Sequence, residues 1–315
     1  MKKHFFLLGI LCATVLLFTA CGGDDDKIGQ PASPGGQGRG VNNENANLTD
    51  ENIAFGNLEC PAIMSGDNYI RLIRRTNQYG ITYMIEWDKT KKAQRWTCFQ
   101  MNGTNNVKNW ARSNWKNTSW GGDPFQVDPD LPTDCRTELS QYSGSGYDRG
   151  HICASEDRVM SKDANEQTFY LSNMHPQKNA FNAAPGVWGQ MEIWLRDLNN
   201  SSFRDVLYIV KGGTIKDDQV KSPVKGLVVP QYFFMAVVCE KRGEYKGLGF
   251  WANHDNPYPI GNIDKARNNP TENVKLCVVS IDKLEQLTGM DFFCNLPDDI
   301  EKSVEASVNL KNWGF

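Results

Sequence analysis

One stretch of the chain gathers residue types that move protons and hold anions. Tyr142-Ser-Gly-Ser-Gly-Tyr-Asp-Arg-Gly-His151 places Asp148, Arg149 and His151 within four positions. A guanidinium grips an oxyanion as a planar two-donor fork, and an imidazole exchanges protons near neutral pH. Together with a carboxylate they suit chemistry at an anionic centre. The same residues would also make a structural salt bridge beside a core histidine. Glycines at 144, 146 and 150 keep the backbone bare and open to close approach. Downstream, Leu171-Ser-Asn-Met-His-Pro-Gln-Lys-Asn-Ala-Phe-Asn182 brings together four side-chain amides, those of Asn173, Gln177, Asn179 and Asn182. A helix is expected over Pro185 to Leu198, with proline where a first turn tolerates it. Trp188, Glu192 and Arg196 are spaced i, i+4, i+8 and share one face of it. Alone, that face would be a surface ion pair of little consequence. Beside the amides and the His motif it reads as a metal and phosphate site.

The ordered set Tyr147-Asp-Arg-Gly-His151, Ser172-Asn173, Pro176-Gln177, Asn182, Trp188, Glu192 and Arg196 resembles the DNA/RNA non-specific endonucleases. These are the ββα-metal, or His-Me finger, nucleases, a group that includes endonuclease G and secreted bacterial nucleases. The resemblance runs from about residue 54 to 305. It takes in Cys277-Val-Val-Ser-Ile-Asp-Lys-Leu-Glu-Gln-Leu-Thr-Gly289 and Asp291-Phe-Phe-Cys-Asn-Leu-Pro297. It implies His151 as the general base that activates water. It implies Asn182 as the one protein ligand of a Mg²⁺ ion, with Mn²⁺ as the alternative. Glu192 would orient a metal-bound water, and Arg149 and Arg196 would hold the scissile phosphate. Asn173 would support the His and metal geometry, and Asp148 would brace the motif. The resemblance further implies DNA and RNA as substrates without sequence specificity, 5′-phosphate products, and a homodimer, as in many members.

The physics of phosphodiester hydrolysis agrees. The substrate is anionic and repels hydroxide, so its charge must be neutralised. A neutral Asn ligand leaves the full charge of the ion available as a Lewis acid. Two-metal chemistry needs a cluster of carboxylates, and this region offers Glu192 beside the amides. A histidine base must be neutral, so activity is expected to fall below about pH 6.5, the reference imidazole value. Two departures stand out. Two more residues separate Asn182 from Glu192 than in familiar members, which makes Asn179 a competitor for the ligand position. Gln126 stands in Phe125-Gln-Val-Asp128 where relatives often carry Arg. One phosphate contact would then be missing, or supplied by Arg71, Arg74 or Arg75. Cys153 reads as a buried small residue or disulfide partner, and His175 and His254 as structural. A His151/Cys153/His175 zinc site explains fewer residues.

These side chains need a scaffold. Alternating β-rich runs fall at 81–87, 95–101, 206–210, 224–230, 232–239, 247–252 and 274–280. Helices are expected at 163–171, with Asp163 as cap, at 281–287 ending on Gly289, and at 298–307. Strands outnumber helices and do not alternate with them, so the fold class is α+β: a mostly antiparallel central sheet, flanking helices and the ββα-metal motif. Trp96, Trp110, Trp115 and Trp120 would stack on bases or, more simply, pack into core and loops.

The 315 residues are 40% hydrophobic and 23% charged, with mean hydropathy −0.52. That excludes a disordered chain, a coiled coil and a polytopic membrane protein. The formal charge is −3, from 34 basic and 37 acidic residues. The first 50 residues hold four of the former and five of the latter, leaving 30 against 32 in the domain. A balance so near neutral does not fit a generally basic nucleic-acid coat. Lys2 and Lys3 precede an apolar run from Phe5 to Phe18, the length of a signal-peptide core. Leu17-Phe-Thr-Ala-Cys21 resembles a bacterial lipobox, which implies cleavage before Cys21 and its acylation. The domains expected are therefore a lipoprotein signal peptide at 1–20, an acylated Cys21 and flexible linker at 21–51, and a nuclease domain at 52–315. The chain would be extracytoplasmic and lipid-anchored to a membrane. Asp24-Asp25-Asp26 resembles the export signal of some surface lipoproteins. Of nine cysteines, seven lie in the domain, and outside the cytoplasm some of these should pair. Two other functions fit parts of the pattern: a surface module that binds nucleic acid without turnover, and a metal phosphodiesterase of small substrates.

Overall fold

The computed structural model describes residues 42–117 and 122–315. The signal peptide, Cys21, the linker up to residue 41 and Trp120 lie outside them. The described residues belong to one compact unit.

The strands are β1 (Tyr69–Thr76), β2 (Gly80–Asp88), β3 (Ala93–Asn102), β4 (Asp148–His151), β5 (Met174–Gln177), β6 (Val206–Gly213), β7 (Val220–Val224), β8 (Leu227–Pro230), β9 (Tyr232–Lys241), β10 (Glu244–Asn253) and β11 (Val278–Val279). Seven of them make one antiparallel sheet in the order β1-β2-β3-β6-β9-β10-β11. Two hairpins, β4-β5 and β7-β8, stand apart from it. The helices are α1 (Leu139–Tyr142), α2 (Lys162–Gln167), α3 (Asn179–Asn182), α4 (Val187–Leu198), α5 (Ile263–Asn268), α6 (Pro270–Lys275), α7 (Ile281–Thr288) and α8 (Asp298–Ala306). The α+β class with an antiparallel sheet is the one expected.

The central strands are buried on both sides, and the two-residue period sorts their side chains. Tyr83, Ile85, Trp87, Leu207, Ile209, Phe233, Met235 and Val237 point to one face. There they meet Val187, Trp188, Met191, Trp194 and Leu195 of α4. Met84, Tyr208, Val210, Phe234, Ala236 and Val238 point to the other, against Ile281 and Leu284 of α7 and Val304 of α8. The sheet is thus the middle of three layers. Gly247 lets it approach α8, since a Cβ there would stand 2.4 Å from the Val304 carbonyl oxygen.

Several expectations are revised. β1 is not alternating in sequence, yet its arginines are held in place by acids: Arg71 by Glu86 and Glu51, Arg74 by Asp128 and Asp130. Residues 274–280 are the end of α6 and the two-residue β11, not one strand. α2 is capped by Ser161, whose hydroxyl accepts the Ala164 N–H, in place of Asp163. The seven described cysteines are all buried and unpaired. Residues 42–50, expected within the linker, are stitched to the end of the fold. The Asn43 amide donates to the Leu296 carbonyl at 2.8 Å, and the Asn47 amide to the Phe55 and Pro61 carbonyls at 3.1 and 2.9 Å. Asparagine supplies both donor and acceptor, so a polar segment can dock without burying apolar surface. Trp96 and Trp115 are buried, and Trp110 packs on Trp115 at 5.2 Å. They serve the core and its loops.

Candidate active site

β4, β5 and α4 form the ββα unit. Arg149 pairs with Pro176, Gly150 with His175 and His151 with Met174 across the hairpin. Gly150 is obligatory for a local reason: a Cβ there would sit 2.3 Å from the Gln177 side chain that crosses it. Helix α4 locks onto this hairpin through Trp188, whose indole N–H donates to the His151 carbonyl at 3.2 Å. Gly186 and Gly189 let α4 close on the turn before it, because Cβ atoms there would stand 2.1 and 2.6 Å from backbone atoms of Ala180 and Ala184. The helix begins at Val187 with Gly186 as its cap, not at Pro185. In that turn the Ala184–Pro185 peptide is cis.

His151 is buried against Phe125 and Phe169, at ring distances of 5.4 and 5.1 Å. Its Nε2 is sealed from solvent without a hydrogen-bond partner. Burial, then the positive charges of Arg112, Lys211 and Arg149, hold its proton affinity well below the ordinary imidazole value. Its charge change therefore lies below the reference value of about 6.5. Asp148 accepts amide hydrogens from both Asn179 and Asn182, each at 3.0 Å. These two amides lie i, i+3 on α3 and face one carboxylate. Asn173 is fully buried and wholly engaged with backbone. It accepts the Cys153 N–H at 2.9 Å and donates to the Cys153 and Thr168 carbonyls. It thereby pins the chain just past His151.

The charged groups around the imidazole come in pairs. Arg149 bonds Asp123 at 2.8 Å and lies 3.9 Å over the Phe125 ring. Arg196 bonds buried Asp157 at 3.2 Å. Glu192 meets the ammonium of Lys211 at 3.3 Å. Burial raises the Glu192 proton affinity, and Lys211 opposes that rise. Lys211 is fully buried, and its ammonium stands 4.6 Å over the Trp188 ring.

Lys211 was not singled out in the sequence, yet a signal existed. Leu207, Ile209 and Lys211 alternate onto one face of β6, so a lysine sits at an inward apolar position. Arg112 was missed as well. Its guanidinium lies 5.4 Å over the Phe169 ring that packs on His151, and among the described residues it has no carboxylate partner. It replaces Arg71, Arg74 and Arg75 as the extra cation near the site. Arg71 and Arg74 are committed to the acids above, and Arg75 lines a separate hollow with Asp163 and Glu166.

His175 and His254 are structural, as expected. His175 packs on Phe233, and burial lowers its affinity to about 3. His254 accepts the Lys178 N–H at 2.8 Å and donates Nδ1–H to the Pro230 carbonyl at 2.8 Å. Burial pushes the Cys153 thiol up to about 12, which removes it as a nucleophile. His151, Cys153 and His175 do not converge into a three-ligand group.

Residues 73–299 match the DNA/RNA non-specific endonuclease family. The chain belongs to that family. It is 34% identical to a nuclease of Nostoc sp. over 79% of this chain and 82% of that one. It is 28% identical to the mitochondrial nuclease EXOG of Xenopus laevis over 70% of this chain, spanning 58% of that protein's length. A crystal structure of an EndoG/EndoGI complex shares the fold, with TM-score 0.57 at 22% identity, covering 75% of this chain and 91% of that chain. This endonuclease is therefore a hydrolase of nucleic acids in a divalent-metal-dependent family.

Proposed function

We propose that the endonuclease hydrolyses phosphodiester bonds of both DNA and RNA, with Mg²⁺ or alternatively Mn²⁺, and with His151 as general base. The observation that carries this reading is a neutral, buried imidazole set among Arg112, Arg149 and Lys211, next to an amide pair organised by Asp148. Cations lower the proton affinity of the base and at the same time attract the phosphate.

The donor set fits a small hard cation. Asn182 gives its N–H to Asp148, which leaves its carbonyl oxygen without a protein donor among the described residues. Asn182 is favoured over Asn179 because its turn packs directly on α4, the helix that carries Glu192. A bound ion there would supply Lewis-acid neutralisation of the phosphate and the leaving oxygen. The protein's own part is separate. Nε2 of His151 is sealed inside, so Nδ1 is the atom that takes the proton from water. Phe125 and Phe169 keep bulk water off the ring. Glu192, beside the Lys211 ammonium, orients the incoming water. Arg149 and Arg196 exchange Asp123 and Asp157 for phosphate oxygens when substrate arrives. Nothing in the set addresses base edges, which accords with cleavage of either nucleic acid.

The test uses the full chain on supercoiled plasmid and on total RNA, with Mg²⁺, with EDTA, and as His151→Ala. Metal-dependent loss of both substrates, abolished in the variant, is expected. Binding without turnover under several metals would replace this reading with the non-catalytic module, and activity surviving in His151→Ala would remove the base. We also propose that acylated Cys21 tethers the chain to an extracytoplasmic membrane. Cys21→Ser should then move it from the membrane fraction to the soluble one, and unchanged membrane association would refute the anchor.

A further inference from the structure

On the far face of the sheet from His151 lies a second charged cluster. α7 carries Asp282 and Glu285 three residues apart, and α8 carries Glu301 and Glu305 four apart. Each pair therefore projects from one helix face. Asp291, in the loop between the helices, adds a fifth carboxylate. One oxygen each from Asp282, Glu285 and Glu305 lie within 4.8 Å of one another. Among the described residues, none of the five acids makes an ion pair with Lys or Arg.

A set of acids is ordinary at a surface. Glu305 is not at the surface. It is 7% exposed, and its Oε1 is sealed from solvent with no hydrogen-bond partner. A buried carboxylate oxygen without a donor is costly unless something positive or protic meets it. Its ionisable neighbours are all carboxyl groups, with no Lys or Arg among them. The remaining hydrogen bonds are spent elsewhere: Glu285 accepts the Phe292 N–H at 2.8 Å, and the Asn45 amide bridges Asp291 and Glu301 at 3.2 and 2.9 Å.

We propose that Asp282, Glu285 and Glu305 form a Ca²⁺ site, distinct from the catalytic ion, that clamps α7 and α8 together. The donors are all oxygen, which selects a hard cation. Ca²⁺ binds oxygens at about 2.3–2.6 Å, so ligands on opposite sides of it stand at most about 5 Å apart. Three oxygens within 4.8 Å of one another can share one such ion. Mg²⁺, at about 2.0–2.1 Å and in strict octahedral geometry, needs a tighter and more regular set. Exposed Asp282 leaves one side open to water ligands. Asn45 ties residues 42–50 to Asp291 and Glu301, the two acids beside the three proposed ligands. The inference is independent of the catalytic mechanism, because no residue is shared.

Ca²⁺ is titrated into the metal-stripped full chain, wild type and Glu285→Gln/Glu305→Gln, with calorimetry for stoichiometry and thermal unfolding for stability. Wild type should bind one more equivalent than the double variant. At tenfold above its Kd, Ca²⁺ should raise the wild-type Tm by roughly 2–5 °C. The variant should show no such shift at this site and should keep its Mg²⁺-dependent nuclease activity. Equal stoichiometry and equal Tm shifts in the two proteins would overturn the site. An equal shift with Mg²⁺ at the same concentration would overturn the choice of ion. A wild type that ignores Ca²⁺ but gains stability on acidification would show that protons fill the cluster instead. Should the double variant fail to fold, Asp282→Asn at the exposed position decides: a Ca²⁺ affinity at least tenfold weaker is expected, and an unchanged affinity sinks the proposal.

Discussion

The two faces of one sheet solve the problem of buried charge in opposite ways. On the α4 face each acid near His151 has a polar or cationic partner: Glu192 has Lys211, Asp157 has Arg196, Asp123 has Arg149, and Asp148 has two amides. On the α7–α8 face three of five acids have a backbone or asparagine donor, Glu305 has none, and none of the five has a cation among the described residues. The first arrangement is poised to receive an anion, because displacing a carboxylate frees an arginine for phosphate. The second is poised to receive a cation. Sign and pairing of charge, more than the number of charged residues, distinguish a substrate site from an ion site.

The largest break expected on the α4 face is at the base. His151→Ala should lower kcat by about 10²–10⁴-fold, the usual worth of a positioned general base. Single-turnover cleavage at saturating metal measures it, and a loss below tenfold would contradict the assignment. The wild-type pH profile sharpens the same point. His151 is active when neutral, and burial with nearby cations keeps it neutral below its ordinary range. Activity should therefore persist as pH falls through about 6.5 and decline only at lower pH. An acid limb at or above 6.5 would contradict the environment described.

Lys211 tests whether pairing matters. Lys211→Met removes the one cation within 4 Å of a buried Glu192, and breaking such a pair costs about 3–5 kcal/mol. Reduced denaturant midpoint and reduced kcat should appear together. Adding Glu192→Gln should restore much of the stability but not the activity. A double variant no more stable than the single one would mean the pair is not coupled. A smaller effect is expected at Arg112, which touches no acid. Arg112→Ala should raise KM roughly tenfold at low salt, leave kcat nearly unchanged, and lower the salt slope by about one unit. An unaltered salt dependence would remove Arg112 from the phosphate path.

The smallest effect belongs to the other face. Burial and like charges raise Glu305 to about 9, and burial raises Glu285 and Glu301 to about 7. The folded state thus holds protons that the unfolded chain has already released. Stability gained from them is complete below the unfolded carboxylate range and is lost as pH rises through 7 to 9. The metal-free Tm should fall by a few degrees from pH 6 to 9 in wild type, and by less in Glu305→Gln. The groups facing Glu305 are Asp282, Glu285, Asp291 and Glu301. Parallel pH profiles for the two proteins would contradict this balance.

Much of the catalytic face was legible because its signals are local. Arg149 and His151 lie two apart on one short strand, and Trp188, Glu192 and Arg196 lie on one helix. A fixed period of 2.0 or 3.6 residues converts such spacing directly into a shared face. The alternation that separates Tyr83 from Met84 likewise announced a two-sided sheet. Local rules failed where a neighbour decided. β1 carries three arginines and shows no clean alternation, because acids from β2 and the 128–130 loop make those positions habitable. Residues 42–50 look like linker in composition, and only their partners near residues 291–301 give them a place.

By itself the sequence determined the candidate residues, the order in which they occur, and the family to which they point. Tertiary structure alone decided which charges meet. Lys211 reaches Glu192 across 19 residues, Asp157 reaches Arg196 across 39, and Asn45 reaches Glu301 across 256. The physical reason is that a charge takes its energy from what surrounds it, and those surroundings come from distant parts of the chain. Periodicity tells which way a side chain points. Only packing tells what it finds there.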